Sequence, residues 1–361
     1  MAVPDLGRVP LTTEFDEALN PVKTGLLLAR AVVFAEDEVA DAIEQKHRRN
    51  VPHKTGLFGP RIANHNHDFQ ELCFSLPSFV RPILRGNSST SAPSLPGAFA
   101  PHISLGVTVM SVADFYERLS PFYHLIYEDW AASMQRQASQ LDSVIRELWG
   151  DRIKTILDAA CGVGTQAIGL AQLGYRVAAS DISPVPLERA KREAASRGVA
   201  VNFSRADLRA LSSGHSTTFD LVIACDNSIP HLLSDDEIRD AFREMYSCAA
   251  DGGGCLVSVR DYDPSEAGTK VVPYGLRTDG DRRFVVFQVW EYQGPIYNLA
   301  MYFVEDAGGP ECTTHVMRSR YYAVPVVRLV ELMTEGGFHD VRRIDGRFFQ
   351  PLIVGFKNGE A

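Results

Sequence analysis

From Met110 onward, apolar positions fall into short blocks separated by polar turns, and the blocks alternate between two periods. TILDAA (155–160), RVAASD (176–181) and FDLVIACD (219–226) contain near-continuous apolar runs of strand length, the pattern of strands buried on both faces. Between them, TQAIGLAQLG (165–174), PVPLERAKREAASRG (184–198) and DDEIRDAFREMYSCA (235–249) space their apolar residues three and four apart, as amphipathic helices do. AVNFSRAD (200–207) and GGCLVSVRDYD (253–263) add two more strands. A largely helical stretch is expected ahead of them, over Phe115–Leu148, with Phe115, Tyr116, Phe122, Tyr123, Tyr127 and Trp130 among its aromatics. Further on, FVVFQVWEY (284–292), YNLAMYFVED (297–306) and THVMRSRYYAV (314–324) read as longer antiparallel strands. PVVRLVELMTEGGF (325–338) reads as a helix stopped by glycine, and RRIDGRFFQPLIVGFK (342–357) supplies two last strands.

Alternation of this kind predicts an α/β fold, a Rossmann-like doubly wound and mostly parallel seven-stranded sheet with an antiparallel C-terminal strand. A small antiparallel region is expected over about residues 268–324. The domain so defined is residues 110–361. Residues 1–109 read as an N-terminal extension, with helix-like spacing over Leu26–His47 and a Ser/Pro/Gly-rich, linker-like run at 86–101. SVADFYERLSPFYHLIYEDW follows Met110 directly, so Met110 is expected to be the native start of the fold.

Composition narrows the function classes. The net charge of −9 gives no nucleic-acid footprint, although an acidic total still permits a local cationic pocket. The six cysteines contain no C-x-x-C pair, so reduced thiols in a cytoplasmic protein are expected. The apolar run Gly25–Ala35 contains Arg30 and is too short to cross a bilayer, and Met1–Pro10 does not read as a signal peptide. His65 and His67 in NHNHD lack a third ligand at sensible spacing, so they read as a polar loop and no metal is expected. The expected partner is a small-molecule substrate, with no nucleic acid and no membrane; a homo-oligomer is left open.

The sharpest chemical signal is DAACGVGT, Asp158–Thr165, between a strand and a helix. Gly162 and Gly164 permit a tight turn and close approach of backbone to a ligand. Asp181 ends the next strand, where a carboxylate accepts bonds from both ribose hydroxyls, and Asp207 with the Leu208 backbone can flank an adenine edge. Ala160 and Ile182, beside Asp158 and Asp181, belong to the same candidate cofactor set. The form Asp-x-x-Cys-Gly-x-Gly-Thr favours S-adenosylmethionine over a dinucleotide.

Taken together, LDAACGVGT, VAASDISP, ADLRAL, ACDNSIPHL, SVRDYD, SRYY and GRFFQP resemble the class I S-adenosylmethionine-dependent methyltransferases, and most of all the glycine/sarcosine N-methyltransferase group. The resemblance spans about Phe115–Lys357. It implies that Cys225, Asp226, Asn227 and Ser228 touch the cofactor and that Asn227 also faces the methyl acceptor. It implies too that Arg260 binds the acceptor's carboxylate.

The residues themselves bear on these roles. Arg260 follows an apolar strand, and a guanidinium holds a carboxylate by two parallel bonds; the competing reading is a salt bridge to Asp261 or Asp263. Tyr321 or Tyr322 is expected to add a hydroxyl. Tyr127 and Trp130 are expected to cover the sulfonium, since aromatic faces attract cations, and Arg136 to pair with the cofactor carboxylate. His231 is the candidate general base if the acceptor is a hydroxyl, while an amine needs none. The expected activity is methyl transfer to the amine of a small carboxylated substrate such as glycine or sarcosine. The alternatives are an O- or C-methyltransferase of another small metabolite and a non-catalytic S-adenosylmethionine-binding protein.

Overall fold

The computed structural model describes residues 110–263 and 265–358. The expectations for residues 1–109, including the linker-like run and the His65/His67 loop, lie outside these residues.

Two short helical pieces open the described fold. Helix α1 (Val112–Leu119) starts at a capping box, in which Ser111 and Asp114 satisfy each other's backbone N–H. The stretch 115–148 is largely helical but in pieces: α1 gives way to a 3₁₀ turn (Ser120–Ile126), and α2 begins afresh at Trp130 and runs to Trp149. Pro121 cannot donate to the preceding turn, and Asp129 caps the new helix by accepting the Ala132 N–H at 2.9 Å. The break aims Tyr123 and Tyr127 sideways into a cavity instead of along a helix face.

Strands β1 (Thr155–Asp158), β2 (Arg176–Asp181), β3 (Val201–Arg205), β4 (Phe219–Ala224) and β5 (Ala249–Ser258) alternate with helices α3 (Thr165–Gln172), α4 (Pro184–Ser196) and α5 (Asp235–Cys248). After the antiparallel region comes α6 (Val326–Glu335), then β10 (His339–Ile344) and β11 (Leu352–Phe356). The seven-stranded sheet has the order β10-β11-β5-β4-β1-β2-β3. Pairing is parallel from β3 across to β5, and β11 runs antiparallel to both its neighbours. The near-continuous apolar strands are explained by burial on both faces. Leu157, Val222, Val257 and Ile353 face α5 and α6, while Ile156, Ile223, Leu256 and Val354 face α2 and α3.

The antiparallel region is a separate four-stranded sheet: β6 (Thr269–Asp279), β7 (Arg282–Gln293), β8 (Ile296–Asp306) and β9 (Thr313–Tyr322), in that order. Strand β6 was not foreseen as an element. It is an edge strand with Val271 and Leu276 exposed, and its register shifts between Pro273 and Gly275. The inner face alternates cleanly, with Phe284, Val286, Leu299, Met301, Phe303 and Met317 packed on Phe115, Leu119 and Leu125. Among the described residues no helix is long and apolar enough to cross a membrane.

The chain winds from β1 to β2 and β3 in one direction, then returns to lay β4 on the other side of β1. Such a reversal opens a crevice at the carboxyl ends of the two strands, and this is where open α/β sheets bind ligands. The loops Ala159–Gly164 and Cys225–Ser228 form its two lips.

Candidate active site

A cavity of about 670 Å³ lies at this switch point. Its floor is the carboxyl edge of the large sheet, and Gln288, Met301 and Tyr321 from the inner face of the small sheet form part of its roof. Tyr116 of α1 and Tyr123 of the 3₁₀ turn close one side, together with Tyr127 just after that turn.

At the first lip, Ala159 donates to the Ile223 carbonyl and Cys161 to the Ser180 carbonyl, which ties the loop to both neighbouring strands. Gly162 and Gly164 have φ of 54° and 90°. A Cβ at Gly162 would meet nothing within 4 Å, whereas one at Gly164 would lie 2.9 Å from Ile168 Cδ1 and 3.2 Å from Ala190 Cβ. Gly164 is thus held both by its backbone and by packing of α3 on α4. Gly164→Ala is expected to lower stability by about 1–3 kcal/mol through αL strain and overpacking, read as a fall in Tm. Gly162→Ala is expected to be milder in stability, because only its φ is strained.

Asp181 joins the two lobes of this lip. Its Oδ2 accepts the Gly162 N–H at 2.8 Å and its Oδ1 the Ser183 N–H at 2.9 Å. Each oxygen keeps a further lone pair at the cavity. Asp158 ends β1 fully buried, and its Oδ2 has no hydrogen-bond partner. Burial pushes its carboxyl up to about 7, and Asp158, expected in the cofactor set, is not among the residues that line the cavity. Asp207 does reach the cavity, but its carboxylate is clasped by Arg209, at 3.0 Å from Nε and 2.7 Å from Nη2. Arg209 also bonds Glu237. Ala160, Ile182 and Leu208 line the same wall.

At the second lip, β4 is followed by a buried Cys225, whose thiol burial pushes well up, so it is no ready thiolate nucleophile. Asp226 and Asn227 follow with φ of 58° and 66°, two consecutive non-glycine residues in the left-handed region. The end of β5 holds them there: the Asp226 N–H donates to Ser258 Oγ at 2.7 Å and the Asn227 N–H to the Ser258 carbonyl at 3.0 Å. The fully buried Asn227 Oδ1 accepts the Arg260 N–H at 3.0 Å, and its amide nitrogen lies 2.8 Å from the Tyr262 hydroxyl. The half-buried Asp226 Oδ2 accepts from the Tyr127 and Tyr123 hydroxyls at 3.0 and 3.2 Å. Burial, and after it the neighbouring tyrosine and Asp226 for Tyr123 and Asp226 itself for Tyr127, keep both phenols protonated and hence donors.

The Arg260 side chain extends into an aromatic box. It donates to the Tyr297 hydroxyl at 3.2 Å and lies 4.9 Å above Trp290 and 5.9 Å above Tyr321. The competing salt bridges are absent. Asp261 pairs with Arg343, at 2.9 Å on one arm, and Asp263 accepts from Ser265. Among the described residues Arg260 has no carboxylate partner. His231 lies beneath Tyr321, ring centroids 4.1 Å apart, with Nε2 2.9 Å from the Tyr116 hydroxyl. Burial, and then the Arg260 charge, push its imidazole down to about 3.

Two further expectations are corrected. Trp130 is not a lid over the cavity: its indole N–H donates to Thr165 Oγ1 at 3.0 Å inside the core, and Arg189 and Arg197 stack on its ring. The helix break redirects it, so that it pins α2 to the start of α3. Arg136 is exposed on α2, whose buried face carries Met134, Gln137, Ala138 and Leu141, and it is not part of the cavity wall. Tyr116, Tyr123, Tyr274, Gln288 and Gln350 line the cavity without having been singled out as site residues. Gln350 lay within GRFFQP, and Tyr116 and Tyr123 among the aromatics of the N-terminal helical stretch.

A family model described as a methyltransferase domain matches residues 156–253. A glycine/sarcosine N-methyltransferase of Parasynechococcus marenigrum is 34% identical over 41% of this chain and 51% of its own length. A second, of Aphanothece halophytica, is 31% identical over 36% and 48%. The chain therefore spans about half the length of these curated relatives. Among solved structures, DesVI of Streptomyces venezuelae is similar at a TM-score of 0.57 and 18% identity, over 69% of this chain and 99% of that one. The sugar N-methyltransferase KedS8 of a Streptoalloteichus species gives 0.55 and 17%, over 76% and 100%. At such identities the likeness concerns the fold. The strand order, the glycine turn at the switch point and the family model agree: residues 156–253 match a methyltransferase domain, and the described fold is that of the class I S-adenosylmethionine-dependent methyltransferases.

Proposed function

We propose that the chain methylates the nitrogen of a small carboxylated amine of the glycine or sarcosine kind, with S-adenosylmethionine as donor. The observation that carries this reading is Arg260: a guanidinium on the cavity wall, boxed by Trp290, Tyr297 and Tyr321 and lacking a carboxylate of its own among the described residues. A planar fork in an aromatic surround fits a carboxylate ligand, fixing its orientation as well as its charge. The relatives named glycine/sarcosine N-methyltransferase support the same substrate class.

The donor fits the other half of the cavity. Asp181 retains acceptor capacity for a ribose, the wall at Gly162 is open, and Asp207 and Leu208, on the same wall, are the residues we assign to the adenine edge. When bound, S-adenosylmethionine supplies an electrophilic methyl on a cationic sulfur. The residues then have a positioning task. Arg260 fixes the acceptor's carboxylate end, Asn227 fixes the Arg260 backbone, and the tyrosines exclude water from the line of attack.

No strong base is required for an amine, and the structure offers a poor one. An imidazole pushed to about 3 has little drive to take a proton from a hydroxyl at neutral pH, which counts against an oxygen acceptor. His231 stays neutral well below pH 6, so kcat/KM between about pH 6 and 9 is expected to follow the acceptor's own amine. His231→Gln should leave that limb where it is, and a shift of the limb would place His231 in the proton path.

The reading is tested by a panel of carboxylated amines, amines without a carboxylate, and phenols or alcohols, with labelled donor. Turnover confined to carboxylated amines is expected. Turnover of a hydroxyl acceptor with glycine and sarcosine inert would refute it.

A further inference from the structure

Six acidic or guanidinium side chains line the cavity: Asp181, Asp207, Arg209, Asp226, Glu237 and Arg260. Three are paired with one another, Arg209 bonding both Asp207 and Glu237. Asp181 spends an oxygen on each of two backbone N–H groups at the cofactor lip. Of the last two, Arg260 and Asp226, neither meets an opposite charge among the described residues, and Asp226, unlike Asp181, accepts from no backbone N–H.

The surroundings of Asp226 are as unusual as its isolation. Its side-chain partners are the hydroxyls of Tyr123 and Tyr127 and the amide of Gln350, at 3.3 Å, all of them uncharged donors. Gln350 is itself held by Ser258 at 2.9 Å, the same hydroxyl that takes the Asp226 N–H. Three elements thus converge to orient one carboxylate: the 3₁₀ turn with the residue that ends it, β5, and the loop before β11. The backbone that presents it is left-handed, at φ 58°. Strain and convergent bonding at a cavity wall mark a side chain held in place for a ligand.

Resting on the carboxylated-amine reading, we infer that Asp226 is the counter-charge for the acceptor's nitrogen, so that the site is built for a zwitterion, with the carboxylate at Arg260 and the cationic nitrogen at Asp226. The charge flow of the reaction fits this assignment. An amine acceptor enters as an ammonium and gives one proton to water before it can attack. It is positive again once the N–C bond has formed and the C–S bond has broken, the electron pair of that bond staying on sulfur. A fixed carboxylate at the nitrogen favours that build-up of charge. An oxygen acceptor has the opposite need: it attacks as an anion, ends neutral, and is repelled by Asp226. The same residue therefore selects nitrogen over oxygen.

The test separates this claim from the one beneath it. Glycine and propanoate share size and carboxylate but differ in the head group, ammonium against methyl; sarcosine and butanoate form a second pair. Binding of each to the full chain, with the demethylated donor product present, is measured by calorimetry. The wild type is expected to prefer each zwitterion over its isostere by about tenfold or more, as for a partly desolvated charge contact. Asp226→Asn, whose side chain tolerates the left-handed backbone and keeps an oxygen for the tyrosines, is expected to abolish that preference while still binding propanoate. Arg260→Met is expected to weaken all four ligands together. Equal binding of glycine and propanoate to the wild type, or a preference that survives in Asp226→Asn, overturns the assignment of Asp226 and leaves the Arg260 reading standing. Failure of all four ligands to bind overturns both. If Asp226→Asn does not fold, the wild-type ratios decide alone.

Discussion

Arg260→Met is expected to raise the acceptor KM by about 30-fold or more, with the affinity for S-adenosylmethionine unchanged. The magnitude follows from removing one member of a buried, hydrogen-bonded charge pair, which costs about 2–5 kcal/mol. Methionine replaces the stem of the side chain against Trp290 and Tyr321, so the packing of the box is largely kept and the lost charge dominates. Arg260→Lys keeps the charge but not the fork, and should fall between the two. Steady-state kinetics with each substrate varied in turn, plus calorimetry for the donor, give the answer. The informative failure is a collapse of donor affinity with acceptor KM intact. Arg260 would then hold the carboxylate of the donor's amino-acid tail, the role expected of Arg136 before that residue was found exposed on the outer face of α2.

That reassignment shows where sequence reading stops. The large sheet was legible because its strands are buried on both faces, so that Leu157 and Ile156 are both apolar for separate reasons. The turn that forms the first lip was legible because its signal is local: Gly162, Gly164 and Asp181 lie within one βαβ unit. The acceptor side is assembled across the chain. Tyr116, Asp226, Arg260, Tyr274 and Gln350 come from five segments, and nothing in their spacing brings them together. The helix break was signalled by Pro121 and Asp129, but the aromatic spacing ran on through it and read as one stripe. Trp130 was misplaced as a result: an indole needs a partner for its N–H, and whether that is a ligand or Thr165 depends on how α2 docks. Strand β6 gave no core signal because its edge position leaves Val271 and Leu276 exposed.

The second large effect is expected at Asn227, where stability and activity should fall together. Its side chain closes a chain of polar contacts running from Asn227 to Tyr262, from Tyr262 to Tyr297 at 3.0 Å, and from Tyr297 to the Arg260 guanidinium. Asn227, Tyr262 and Tyr297 are buried, Asn227 at 2% exposed, so truncation leaves the Tyr262 hydroxyl and the Arg260 N–H short of a partner. Each buried group left unsatisfied costs about 1–3 kcal/mol. Asn227→Ala also places an ordinary residue at φ 66°, which asparagine tolerates better than alanine. A loss of about 2–5 kcal/mol is therefore expected, read as a drop in Tm or denaturation midpoint. Asn227→Gly relieves the backbone but not the network, so it should recover only the strain component, of order 1 kcal/mol. In both variants the acceptor KM should rise, because Arg260 loses the bond that fixes its backbone. The decisive comparison is Asn227→Asp, which keeps the shape and the acceptor oxygens but sets a carboxylate beside Arg260. If Arg260 is the acceptor's anchor, this variant should bind the carboxylated acceptor more weakly than Asn227→Gly even where it is the more stable protein. A variant that folds better and also binds the acceptor better would mean that the network supports the fold alone.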